Sequence, residues 1–361
     1  MEYRKLGKTT LRVSAIGYGT LKLPRISQEE AARCLHRALE LGINFVDSAR
    51  DYGDSESKVG RALKGRRGEF LLATKTSARR FDSAMADLQT SLRELQTDYL
   101  DLWQLHSVSD EPSWQQVMAP GGALQAARHA QAQGMVRHVG ISVHRAIGVM
   151  HKAIECGEFE TIMLCYNPID AENVAAVLPL ARRRGLGVIT MKALSGGTMA
   201  YPKQVRRAGF GGPDALVAGA LRWVLGNQNV HCVLAGMQAV HEVEENVPLA
   251  DPPVPLSNAE HREFLKMLGE FAGEYRYGQR CLACGYCQPC PEGVNIPAIL
   301  LAARLVSSYP DGVRHQGYEI YEQLQVGAEA CVECEKCVEK CPAALPIPSL
   351  LKEARQVLER K

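Results

Sequence analysis

An acid, a phenol, an amine and an imidazole each stand at or just past the end of a short apolar run. Asp47 closes the run from Ile43, and Tyr52 follows in the loop Ser48-Ala49-Arg50-Asp51-Tyr52-Gly53. Lys75 follows Phe70–Thr74, and His106 follows Tyr99–Leu105. A phenol serves as general acid toward a carbonyl when its pKa is drawn toward neutrality. A nearby ammonium does this by favouring phenolate. A carboxylate keeps that ammonium charged in a partly buried pocket, and an imidazole can hydrogen-bond and orient the substrate oxygen. The four types therefore suit protonation of a carbonyl during hydride transfer. Any one of them at a strand end is more often a cap or surface group; four at one mouth are harder to dismiss.

That mouth requires the runs to be parallel neighbours, and the rest of the chain supplies the pattern. A short hairpin is expected from Tyr3–Leu6 and Leu11–Val13, then a strand over 15–19. Strands at 43–47, 70–74, 99–105, 137–142, 161–166, 186–191 and 230–235 alternate with helical periodicity. The helix over 27–41 opens on Ser27 and Glu30 at capping-box spacing and stops at Gly42. Repeated strand–helix units predict an α/β fold, a closed (β/α)8 TIM barrel with its chemistry at the C-terminal strand ends. A doubly wound open sheet is the alternative, weakened because no G-x-G-x-x-G follows the first strand. The proline-rich stretch 248–255 marks the expected boundary between domains 1–250 and 251–361.

The chain has 361 residues, 46% hydrophobic and 23% charged, enough for a large domain plus a small one. Its net charge of +2 makes no electrostatic case for nucleic acid or an anionic membrane. No apolar run approaches the length of a membrane span, and the first residues carry no apolar signal region, so a cytoplasmic protein is expected. Of the 12 cysteines, Cys34, Cys156, Cys165 and Cys232 are scattered and read as ordinary residues. The other eight form two groups, Cys281-x2-Cys284-x2-Cys287-x2-Cys290-Pro291 and Cys331-x2-Cys334-x2-Cys337-x3-Cys341-Pro342. The second has the spacing of bacterial ferredoxins, and the first is one residue shorter at its last gap. Zinc is the competing reading of the C-x2-C pairs; four cysteines in a run before Pro, twice, favour iron–sulfur. The sequence between the groups reads as helical over 296–306 and 318–325.

The barrel part resembles the aldo-keto reductases over roughly residues 1–250. The matching segments are Val46-Asp47-Ser48-Ala49-Arg50-Asp51-Tyr52-Gly53, Ala73-Thr74-Lys75-Thr76, Gln104-Leu105-His106-Ser107, Gly140-Ile141-Ser142, Tyr166-Asn167-Pro168, Leu234-Ala235-Gly236 and Glu245-Asn246. The resemblance implies Tyr52 as proton donor, Lys75 and Asp47 as its tuners and His106 as the orienter. It implies NADPH or NADH bound extended, along Gly19, Thr20, Asp47, Ser142, Asn167, Met191, Lys192, Leu194, Ser195, Gly197, Gly236, Met237, Glu245 and Asn246. The chain departs from the pattern at Val143, Met163 and Met191, where many members hold or stack the nicotinamide with polar or aromatic side chains. Glu242 stands where an Arg commonly meets a 2′-phosphate, and it would repel that group. The loop 194–213, with Ser195, Gly196, Gly197, Lys203, Arg206 and Arg207, suits a pyrophosphate or is a solvated loop.

The tail resembles two-cluster ferredoxins of the α-helical kind. That resemblance implies one 4Fe–4S cluster on Cys281, Cys284, Cys287 and Cys341, and another on Cys331, Cys334, Cys337 and Cys290. The expected function is carbonyl–alcohol interconversion with a nicotinamide cofactor, on a small molecule held by Tyr18–Pro24 and the loops 107–122 and 194–213. The clusters would be structural, a docking device, or a route for electrons to a redox partner protein. Alternatives are an iron–sulfur electron-transfer module and a nicotinamide sensor with little turnover.

Overall fold

A computed structural model describes residues 1–144, 146–168, 171, 174, 176–194, 213–269, 281, 285–308, 311–341 and 344–359. Two short strands, β1 (Tyr3–Lys5) and β2 (Arg12–Ser14), pair antiparallel. Eight more follow: β3 (Ile16–Gly19), β4 (Phe45–Asp47), β5 (Leu71–Thr76), β6 (Leu100–Leu105), β7 (Val136–Val143), β8 (Thr161–Cys165), β9 (Gly187–Met191) and β10 (Cys232–Gly236). They pair in parallel as a closed barrel, β10-β3-β4-β5-β6-β7-β8-β9, so the open-sheet alternative falls away. The seam joins β10 to β3, with Gly236 opposite Gly19.

The helices between them are α1 (Gln28–Glu40), α2 (Ser55–Ala62), α3 (Phe81–Glu94), α4 (Glu111–Met118), α5 (Ala123–Ala132), α6 (Ile147–Glu155), α7 (Val177–Arg183) and α8 (Pro213–Leu225). After the seam come α9 (Val240–Asn246) and α10 (Asn258–Gly269). Helix α1 opens as expected: the Ser27 side chain takes the Glu30 amide at 3.2 Å and Glu30 takes the Ser27 amide at 2.9 Å. Helix α4 was not expected, because 107–122 reads as a loop. Its start signal is local: Asp110 accepts from the Ser113 amide at 2.7 Å, with Pro112 in the first turn.

Below the mouth the barrel holds a buried apolar cluster. Phe45, Ala73, Leu102, Ile189 and Cys232 share one buried cluster with Leu6, Leu11 and Val13 of the terminal hairpin, which therefore stoppers the N-terminal end of the strands. Each fully buried aliphatic chain there is worth about 1.5–3 kcal/mol. The stopper fits closely at Gly7, whose φ is +56° and where a Cβ would lie 2.2 Å from the Gly187 nitrogen.

The chain divides into two compact units, Met1–Ala193 with Ala218–Glu263, and Leu194–Val217 with Phe264–Lys361. The proline-rich stretch thus lies inside the first unit. Its anchors are visible: Arg222 donates to the carbonyls of Val254 (2.8 Å) and Pro255 (3.2 Å), and the Glu2 amide donates to Ala250 (3.0 Å). In the second unit α11 (Ile296–Ser308), α12 (Asp311–Glu322), α13 (Lys336–Glu339) and α14 (Ile347–Leu358) surround a core including Val294, Ile299, Ala302, Leu345 and Leu351. No strand occurs among its described residues, as expected of a helical domain. No described helix is long and apolar enough to cross a membrane.

Candidate active site and cysteine pocket

Register brings the proposed tetrad together. Asp47 ends β4, Lys75 lies near the end of β5 opposite Gln104, and His106 follows β6. The Lys75 Nζ donates to Asp47 Oδ1, and to the Ser48 carbonyl at 2.6 Å. The other Asp47 oxygen accepts from Gln104 Nε2 at 3.0 Å, a partner the sequence reading missed. Lys75 Nζ stands 5.1 Å from the centroid of the Tyr52 ring, which packs T-shaped with His106 at a centroid distance of 5.8 Å. Burial is near complete, with 2% of Asp47 and 1% each of Lys75 and His106 exposed.

Burial opposes the Lys75 charge, but Asp47 and Tyr52 outweigh it and hold the ammonium above its ordinary pKa. Burial likewise raises the Asp47 carboxyl, with Lys75 and Gln104 pulling back. For His106 burial wins, aided by the Lys75 charge, and lowers it to about 4. The imidazole is therefore neutral near pH 7.

The loop bearing Tyr52 is tied down from below. Arg50 ion-pairs with Glu56, which has no exposed surface, and with Glu94 of α3 at 3.1 Å; Thr74 donates to Glu56 at 2.6 Å. Asp51, unremarked in the sequence, accepts from His106 Nδ1 at 2.9 Å and from the Ser77 hydroxyl. Past His106, Ser107 takes φ +51°. There its amide donates to Ser142 Oγ at 3.2 Å and its carbonyl accepts from Arg79 at 3.1 Å. A non-glycine residue at such a φ beside a functional group is strain held by its surroundings.

The residues expected along a cofactor are placed as follows. Ser142 and Asn167 are buried polar groups just at or past the ends of β7 and β8. Thr20 is buried, donating to the Asp47 carbonyl at 3.1 Å. Gly19 and the exposed Gly236 face each other at the seam, bare of side chain. Met191 and Lys192 are half-buried at the end of β9, with Lys192 at φ +60°. Met237 is fully buried, its carbonyl accepting from the Tyr18 hydroxyl at 2.6 Å. In α9, Glu245 is exposed and Asn246 buried, while Glu242 accepts from the Gln238 amide at 2.8 Å. Leu194 falls in the second unit. Ser195, Gly196, Gly197, Lys203, Arg206, Arg207 and Cys284 lie outside the described residues.

In the second unit one concavity is lined by Cys287, Cys290, Cys331, Cys334 and Cys337. Burial, then its backbone setting, then the nearby Cys331, Cys334 and Cys290 act on the Cys337 thiol, whose pKa is raised. Cys281 and Cys341 pack against the same core.

Comparison with known proteins agrees with both parts. A sequence model of the Aldo/keto reductase family matches residues 15–213, and one of a 4Fe-4S dicluster domain matches residues 277–345. L-galactose dehydrogenase of Arabidopsis thaliana is 28% identical over 282 residues, covering 68% of this chain and 87% of the relative. Uncharacterized oxidoreductase YqkF of Bacillus subtilis is 25% identical, covering 70% and 92%. Among solved structures, the holo form of aldo-keto reductase AKR11C1 from Bacillus halodurans superposes with a TM-score of 0.60 at 28% identity, covering 74% of this chain and 96% of that one. The chain belongs to the aldo/keto reductase family, with a 4Fe-4S dicluster domain as its C-terminal part.

Proposed function

We propose that the chain interconverts a carbonyl and an alcohol with NADPH or NADH, Tyr52 acting as general acid and base. The observation that carries this is Lys75 Nζ, held by Asp47 and the Ser48 carbonyl against the ring of Tyr52. The residues present fit a nicotinamide cofactor: Ser142 and Asn167 are buried polar groups at the mouth, and Gly19 and Gly236 present bare backbone at the seam beside it. When bound, the nicotinamide supplies or accepts the hydride. Tyr52 gives its proton to the carbonyl oxygen, and the adjacent ammonium stabilises the phenolate left behind. Asp47 and Gln104 keep that ammonium charged and in place. In the reverse direction the phenolate takes the alcohol proton. The carboxylate of Glu242 disfavours a 2′-phosphate, so NADH is the expected partner of the two.

Replacing Tyr52 by Phe removes only the proton donor. Turnover of 4-nitrobenzaldehyde, a generic carbonyl probe, should fall about 10²–10⁴-fold while nicotinamide binding by fluorescence titration is kept. Turnover at the wild-type rate would remove Tyr52 from the chemistry.

For the tail, we infer two 4Fe–4S clusters, one on Cys290, Cys331, Cys334 and Cys337 and one on Cys281, Cys284, Cys287 and Cys341. What supports this is the thiol set around one concavity, where Cys287 and Cys290 of the first group stand with Cys331, Cys334 and Cys337 of the second. The clusters supply one-electron chemistry or a cross-link between helices. Anaerobic purification should give about eight irons per chain with broad visible absorbance; zinc at one or two per chain would overturn the assignment.

A further inference from the structure

Neighbouring residues on a strand point to opposite faces, and β5 grips the Tyr52 loop from both. Lys75 points into the barrel, where its ammonium meets Asp47 and the ring of Tyr52. Thr74, one residue earlier, faces out toward α2 and donates to Glu56 Oε1 at 2.6 Å. The other oxygen of Glu56 ion-pairs with Arg50, two residues before Tyr52. Arg50 also returns to β5 through its backbone, its amide donating to the Lys75 carbonyl at 3.0 Å. From α3, Glu94 takes Arg50 Nη1 at 3.1 Å and Nη2 at 3.3 Å. Helices α2 and α3 come close enough for this at Gly60, where a Cβ would lie 2.2 Å from the Glu94 carbonyl oxygen. Glu56 and Thr74 have no exposed surface. A buried ion pair adds little net stability over an apolar filling of the same shape. What this one adds is direction, because each Glu56 oxygen has its own partner on a different segment.

We propose that Arg50 and Glu56 are positioning residues that hold Tyr52 at its working distance from Lys75. A latch on the outer face of β5 thus governs proton transfer on the inner face. The inference rests on the proposed role of Tyr52 as acid and base, and it adds what fixes that residue in place. Tyr52 is carried between the two latch residues. Its amide donates to the Ala49 carbonyl at 3.1 Å and its carbonyl accepts from the Ser55 amide at 3.0 Å, so it moves with them. A misplacement of about 1 Å at a reacting group costs on the order of 10²-fold in rate.

The test is a double-mutant cycle on the full chain with Glu56→Gln, which keeps the side chain's shape and removes its charge. Alone it should lower kcat for 4-nitrobenzaldehyde about 10–10²-fold, with KM and nicotinamide affinity changed by less than about twofold. Added to Tyr52→Phe it should lower the residual rate no further, because no proton donor is left to position. An equal loss in both backgrounds would make the pair merely structural and overturn the proposal, as would a wild-type kcat for Glu56→Gln. A crystal structure of Glu56→Gln reads the same point without turnover. Its Tyr52 ring should stand about 1 Å or more beyond the 5.1 Å that separates it from Lys75 in wild type; an unmoved ring would overturn the latch. If Glu56→Gln does not fold, Thr74→Val takes its place, isosteric and one hydrogen bond poorer, with the same outcomes at smaller size. Should Tyr52→Phe keep the wild-type rate, the proposed reaction fails by itself, and the crystallographic distance still decides the latch.

Discussion

Lys75 carries a full charge with 1% of its surface exposed, and Asp47 is what makes that tolerable. Asp47→Asn should therefore lower stability by about 3–5 kcal/mol, the usual effect of removing one partner from a buried pair. Urea midpoints would show it, and adding Lys75→Met should recover part of the loss; an unchanged midpoint for Asp47→Asn would mean that Lys75 is held by Ser48 and Tyr52 alone. The tetrad was legible because its members stand at or just beyond the ends of three successive apolar runs, which β4, β5 and β6 turn out to be. Gln104 and Asp51 were not. Gln104 sits inside an apolar run and signals only by facing Lys75 across a register that the sequence does not print. Asp51 looks like any loop acid beside Arg50 and Gly53, and its meaning comes from His106, far along the chain.

Element identity followed from periodicity, and element ends from caps. Helix α4 shows the limit: Asp110 and Pro112 mark its start, but its short apolar face, Trp114 and Val117, gave too little periodicity to distinguish it from a loop. The ends of strands carry pH sensitivity of their own. His231, just before β10, accepts the Val188 amide on Nδ1 at 2.9 Å. Burial, with Arg182 and Arg4 nearby, lowers it from 6.5 to about 4. The folded chain thus binds fewer protons than the unfolded chain between those values, and stability falls as pH drops through that window. His106 acts with the same sign. His231 alone should contribute about 3 kcal/mol of loss at most. Urea midpoints at pH 7 and pH 4.5 should therefore converge more closely in His231→Gln than in wild type; an equal fall in both would exonerate His231.

At the scale of the molecule, the two cysteine groups announced a second part by clustering alone, and the helical sequence between them foretold a core with no strand among its described residues. What the sequence could not show was the path of the linker. Pro248–Pro255 reads as a boundary by composition, yet Arg222 and the N-terminal residues fasten it to the first unit. The same long reach governs the barrel, whose seam pairs Ile16–Gly19 with Val233–Gly236, the first barrel strand with the last. Contacts so distant in sequence close late and slowly. Gly19 and Gly236 lie on that seam. If the proposed cofactor sits on that seam, its capture times assembly: on dilution from urea, far-UV helix signal should return first and nicotinamide fluorescence enhancement only afterwards. Simultaneous recovery would place closure of the ring together with formation of its helices. On the proposed reading, hydride chemistry is withheld until β10 joins β3 and the ring is complete.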